Sequence, residues 1–85
     1  MNVLIPSPLL SYTKVKDVEG TGTTLSELLT DLERQYPGLR FRVVDEQDHL
    51  RGHIRFFVND EQVFDMSHPL RPTDSVQIVQ ALSGG

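Results

Sequence analysis

Thr24 and Glu27 stand three residues apart at the head of an apolar series, Leu25, Leu28, Leu29, Leu32 and Tyr36, which Pro37-Gly38 closes. This capped stripe constrains the chain more than any other feature. Thr24 is a good N-cap, and with Glu27 it forms a capping box in which each side chain satisfies a free backbone N–H. The leucine spacing is helical, so the apolar side chains share one face. Proline cannot donate the next helical bond, and glycine tolerates a left-handed exit. A helix with one apolar face must bury it against another element.

The other apolar segments read as strands. Val3-Leu4-Ile5 is short and closed by Pro6 and Pro8. Lys14-Val15-Lys16-Asp17-Val18 is predicted to pair back on it as a hairpin, with Gly20-Thr21-Gly22 turning beyond. Ile54, Phe56 and Val58 alternate onto one face and Arg55 and Phe57 onto the other. Asn59-Asp60 suits a tight turn, because both residues tolerate positive φ, and Gln62-Val63-Phe64 reads as the return strand. Pro72-Thr73-Asp74 marks another turn. The last strand runs from about Ser75 to Gln80, with Val76 and Ile78 inward and Gln77 and Val79 outward. Between residues 39 and 52, Phe41, Val43 and Val44 are expected to be buried and Asp45-Glu46-Gln47-Asp48 to form a solvated turn.

Strand, strand, helix, strand, short strand, strand is the order of the β-grasp fold. The prediction is an α+β domain: a mixed sheet of four to five strands with one main helix on one face. The first and last strands should lie side by side in its middle. Eighty-five residues suit one domain. Its expected extent is residues 1–80, with 81–85, Ala81-Leu82-Ser83-Gly84-Gly85, as an unpatterned tail.

The same residues, taken in order, resemble a known family. Asn2-Val3-Leu4-Ile5-Pro6, Thr24-Leu25, Tyr36-Pro37-Gly38-Leu39, Phe57-Val58-Asn59-Asp60, Asp74-Ser75-Val76 and Gly84-Gly85 together resemble the ubiquitin-like sulfur carriers. These serve molybdopterin, thiamin and thiocarboxylate-dependent cysteine synthesis, and the opening segment looks most like the cysteine-type subgroup. Three positions depart from the family pattern: Asp60 where glycine is usual, Thr73 where glycine is frequent, and Gln80 where proline commonly begins the tail.

The resemblance implies a ubiquitin-like fold and chemistry on the C-terminal carboxylate of Gly85, with Gly84 giving access. An adenylating enzyme of ubiquitin-activating type would form an acyl-adenylate there with ATP and magnesium. A sulfur donor protein or sulfide would displace AMP, and a sulfur-accepting synthase would consume the thiocarboxylate. The chain itself would bind no cofactor and act as a carrier rather than an enzyme, or as the small subunit of a synthase. Glycines lacking Cβ atoms let the backbone enter a narrow channel. The alternative is a ubiquitin-like modifier or binding module conjugated through Gly85.

Leu4, Phe57 and Val79 fall on the strand phase opposite the core set, so they are expected to form an apolar patch facing a partner, extended by Leu82 and Ser83. Other chemistries fit less well. The net charge of −4 disfavours phosphate backbones, and the aromatics do not read as a stacking platform among basic residues. His49 and His53 are interrupted by Gly52 and lack a helical stripe, so no metal is expected. The 45–48 turn lacks a calcium-loop pattern. There is no cysteine, no apolar run long enough to span a bilayer and no signal-peptide pattern at the start, so a cytoplasmic protein is expected.

Overall fold

The computed structural model describes residues 1–81. Its elements are β1 (Asn2–Leu4), a 3-10 turn (Ser7–Leu9) running into α1 (Leu10–Thr13), β2 (Asp17–Glu19), α2 (Leu25–Gln35), α3 (Leu39–Val43), β3 (Ile54–Val58), β4 (Glu61–Val63) and β5 (Ser75–Gln80). The sheet order is β2-β1-β5-β3-β4. β1 and β5 run parallel in its interior, and the other pairs are antiparallel. This is the predicted ubiquitin-like β-grasp.

Register explains why one face is buried. Val18, Val3, Val76 and Val58 face one another across β2, β1, β5 and β3, and the next row is Ile78, Phe56 and Val63. Alternation puts all of these side chains on one side of the sheet. α2 covers them with Leu25, Leu28, Leu29 and Leu32, each fully buried. Burying a leucine contributes about 1.5–3 kcal/mol, so the stripe is a principal source of stability.

The helix start departs from the expected box in one bond. Thr24 Oγ1 accepts from the Glu27 N–H, but the Glu27 carboxylate accepts from the N–H and hydroxyl of Thr23, not from the Thr24 N–H. The Thr23 hydroxyl, then its N–H, hold the Glu27 carboxyl below its ordinary pKa. Thr24 itself lies against Pro69 in an isolated bridge, and Leu25 and Ser26 donate to the His68 and Met66 carbonyls. The free amides of the first helical turn are thus bonded by the segment before β5.

Two regions differ from expectation. The β1–β2 connection is a long arch through the 3-10 turn and α1, with Leu9 and Thr13 buried; Val15, assigned to the strand, is outside it and 53% exposed. Residues 39–43 form a helix, and it buries Leu39 and Val43 but leaves Phe41 59% exposed. In so short a helix the i and i+4 residues share the inward face and the residue between them points away. Val44 is buried as expected. Glu33 ties this helix to α2 by accepting the Gly38 and Arg40 amides.

The β3–β4 turn is locked to the start of β5. Asn59 and Asp60 both have positive φ, as the turn requires. The Asn59 side chain accepts the Ser75 N–H and donates to Asp74, whose other oxygen accepts the Arg71 N–H. That N–H, then the Asn59 amide, hold the Asp74 carboxyl below the usual range. A depressed folded-state pKa stabilises the protein above the unfolded value of about 3.9 and loses that contribution as pH falls through the lower folded value. The melting temperature should therefore be level from neutral pH to about pH 4 and decline below it. Asp74→Ala should flatten the acid limb of a melting-temperature profile. An unchanged limb would show that other carboxylates set it.

Candidate functional site

The face of the sheet opposite α2 is crossed in its interior by β5, the last described strand. Its middle row crosses three strands: Leu4 on β1 pairs with Gln77 on β5, which pairs with Phe57 on β3. Asp17 flanks Leu4 from β2, and Gln62 flanks Phe57 from β4. In the row nearer the end of β5, Val79 pairs with Arg55. Leu4 is 39% exposed, while Phe57 and Val79 are half-buried.

The structure therefore puts Leu4, Phe57 and Val79 on the expected face, but no two are directly opposite. Gln77 stands between the first two, two strand spacings of about 4.8 Å apart. Leu4, Gln77 and Phe57 line a shallow depression of about 360 Å³ together with Asn2, Asn59 and Ser75. Val79 is not among its lining residues. The surface is amphipathic rather than continuously apolar. Gln77 and Arg55 belong to it, and simple alternation marks both as outward-facing.

The chain stays on the ladder to the end of its described part. Gln80 pairs with Ile54, and Ala81 donates its N–H to the His53 carbonyl at 2.7 Å. The tail thus starts from a fixed point at the end of an interior strand. Four further residues reach about 14 Å at full extension, enough to enter a neighbouring molecule. Leu82, Ser83, Gly84 and Gly85 lie outside the described residues.

A second set of residues surrounds that fixed point. Arg51 on the β3 approach donates from Nε to the Phe41 carbonyl, and its guanidinium lies 4.5 Å from the Phe41 ring centroid. Pro8, Leu9, Phe41, Arg42, Arg51, His53 and Gln80 line a groove of about 430 Å³. Phe41 therefore does sit among arginines, which sequence reasoning missed. The available signal was the Arg40-Phe41-Arg42 triplet.

Among the described residues there is no group of three or more His, Cys, Asp or Glu side chains that could hold a metal, and no helix long and apolar enough to cross a membrane. Asp45 carries the turn that was set aside as a calcium loop. Its carboxylate accepts the His49 and Gln47 amides, which lower its pKa.

Comparison with known proteins gives a consistent result. The ThiS family model matches residues 3–85. The sulfur carrier protein CysO of Mycobacterium tuberculosis is 33% identical over 91 aligned positions that cover all of this chain and 98% of that protein. In the crystal structure of the Amycolatopsis orientalis BexX/CysO complex, a chain 33% identical superposes with a TM-score of 0.91, covering 99% of this chain and 98% of that one. The crystal structure of M. tuberculosis CysO matches at 32% identity with a TM-score of 0.89, over 95% and 98% of the respective chains. The small archaeal modifier protein 1 of Methanosarcina acetivorans shares the fold at 20% identity and a TM-score of 0.82.

Proposed function

The chain belongs to the ThiS family, and we propose that it is a sulfur carrier whose Gly85 carboxylate is converted to a thiocarboxylate. The observation that carries this reading is the similarity to CysO sulfur carriers along the whole chain, at 33% identity. A tail anchored through Ala81 to an interior strand supports it, because a carrier must present its terminus from a fixed base.

The chemistry follows from the carboxylate. With an ordinary pKa of roughly 3.3–3.7 it is ionised at neutral pH and is a poor electrophile. A carboxylate oxygen attacks the α-phosphorus of ATP, held with magnesium by an adenylating partner, and pyrophosphate leaves. Hydrosulfide then attacks the acyl carbon of the mixed anhydride, AMP leaves, and a proton is released. The resulting thiocarboxylate sulfur is nucleophilic and attacks the acceptor bound by a synthase. Hydrolysis of the acyl intermediate returns the carboxylate. The cysteine-type resemblance and the CysO relatives favour cysteine synthesis as the pathway served.

Incubation with its own organism's adenylating enzyme, ATP, magnesium and sulfide should add the mass of one oxygen-to-sulfur exchange at the C-terminus. An unchanged mass with a demonstrably active enzyme would sink the reading. A lysine-linked adduct would favour a modifier instead.

Leu4 and Phe57, with Leu82 and Ser83 beyond, are proposed to rest on that enzyme. Phe57→Asp should leave the melting curve near that of the parent, since the side chain is outside the core. Loss of an apolar anchor worth about 2 kcal/mol should weaken binding about thirtyfold, as read by calorimetry. Unfolding of the variant would place Phe57 in the core, and unchanged affinity would remove this face from activation.

A further inference from the structure

We propose that the aromatic–arginine groove at the end of β5, formed by Phe41, Arg42 and Arg51, docks a protein surface lined with carboxylates. This inference rests on the reading that the tail is modified inside a partner, and it names the chemistry of that partner's surface around the channel.

The first observation is a concentration of arginines. The chain carries a net charge of −4, yet four of its six arginines, Arg40, Arg42, Arg51 and Arg55, lie between residues 40 and 55. Arg40 is paired with Asp48. Among the described residues Arg42, Arg51 and Arg55 form no ion pair with a carboxylate. The same stretch holds Asp45, Glu46 and Asp48; Asp45 accepts the Gln47 and His49 amides, and the Arg51 charge adds to the lowering of its pKa without forming an ion pair.

The second is preorganisation. Arg51 is held by the Phe41 carbonyl and the Phe41 ring. Side chains already fixed lose less conformational freedom on binding, and guanidinium forks match carboxylates bidentately. Phe41, 59% exposed with Arg51 over its ring, adds apolar contact area at the same place.

The third is position. The groove lined by Phe41, Arg42 and Arg51 also includes Gln80, the last residue of β5 and the neighbour of Ala81, with which the described chain ends. An acidic protein fits better than a nucleic acid, because the chain as a whole repels polyphosphate and Arg51 occupies the Phe41 ring on which a base would stack.

The test uses the organism's adenylating enzyme and two chains, the intact carrier and one lacking Gly85, so that docking is measured apart from tail chemistry. Among the described residues the Arg42 side chain makes no hydrogen bond or ion pair, so Arg42→Glu should weaken binding of both chains about tenfold at low salt, while Arg42→Lys stays within about twofold. High salt should narrow the gap, as expected for exposed charges. Equal affinities for Arg42→Glu and parent, or no binding by the Gly85-deleted parent, would overturn the docking proposal even if the intact tail gains sulfur. Failure of the intact tail to gain sulfur while Arg42→Glu still weakens binding would leave docking standing and remove the sulfur reading. Tighter binding to a single-stranded oligonucleotide than to the enzyme would assign the cluster to nucleic acid and overturn the proposal.

Discussion

A chain lacking Gly85 is expected to gain no sulfur. The deletion moves the terminal carboxylate one residue, up to about 3.5 Å, back from the site proposed to adenylate it. An in-line attack on phosphorus does not survive such a displacement, because small errors in the approach of reacting atoms already cost orders of magnitude in rate. Gly84→Val keeps the length and changes the backbone instead. A β-branched residue narrows the accessible φ and ψ and adds bulk where a channel admits only backbone, so the rate should fall at least tenfold. Neither change should move the melting temperature, because among the described residues the buried apolar side chains all lie between Val3 and Ile78. C-terminal mass, measured over time with the cognate adenylating enzyme, separates the variants. Full-rate sulfur gain by the Gly85-deleted chain would show that the chemistry occurs elsewhere.

The fold was legible where local signals and tertiary packing agree. The α2 stripe carries its own cap and stop, and all four of its leucines are buried. The β3 alternation and the Asn59-Asp60 turn are similarly self-contained, and both turn residues have the positive φ that their types allow. Two pieces of the family resemblance that are distant in sequence, Phe57-Val58-Asn59-Asp60 and Asp74-Ser75-Val76, prove to be one joint: the Asn59 side chain bridges Asp74 and Ser75.

What escaped the sequence was short and held by its neighbours. α1 spans Leu10–Thr13 and α3 spans Leu39–Val43, and segments of four or five residues are too short to be stable helices alone or to show a helical period. Their formation depends on burial of Thr13 in α1 and of Leu39 and Val43 in α3, which only the assembled fold determines. Misreading residues 39–43 turned Phe41 into a core residue and hid the arginine cluster. The open face was only half legible: phase identified Leu4, Phe57 and Val79, but the pairing of Gln77 between Leu4 and Phe57 depends on register across three strands.

Leu28→Ala is expected to be the most damaging conservative change in the core. Leu28 is fully buried on α2, beneath the loop that follows β2. That loop lies close: a Cβ on Gly20 would stand 2.5 Å from Leu28 Cδ1, and one on Gly22 would stand 2.6 Å from the Leu28 amide nitrogen. The contact fixes the loop on the helix, so the surroundings have little freedom to collapse into the space a missing isobutyl group leaves. A cost of about 2–5 kcal/mol follows from lost transfer energy and the residual cavity. Domains of this size have about 5–15 kcal/mol in total, and each kcal/mol shifts Tm by about 4–8 °C. The variant should therefore melt at least about 8 °C lower. Measured by denaturant titration alongside Leu28→Ala, Leu4→Ala on the open face should cost under about 1 kcal/mol. A Leu28→Ala loss within about 0.5 kcal/mol would show that the helix stripe does not carry the core.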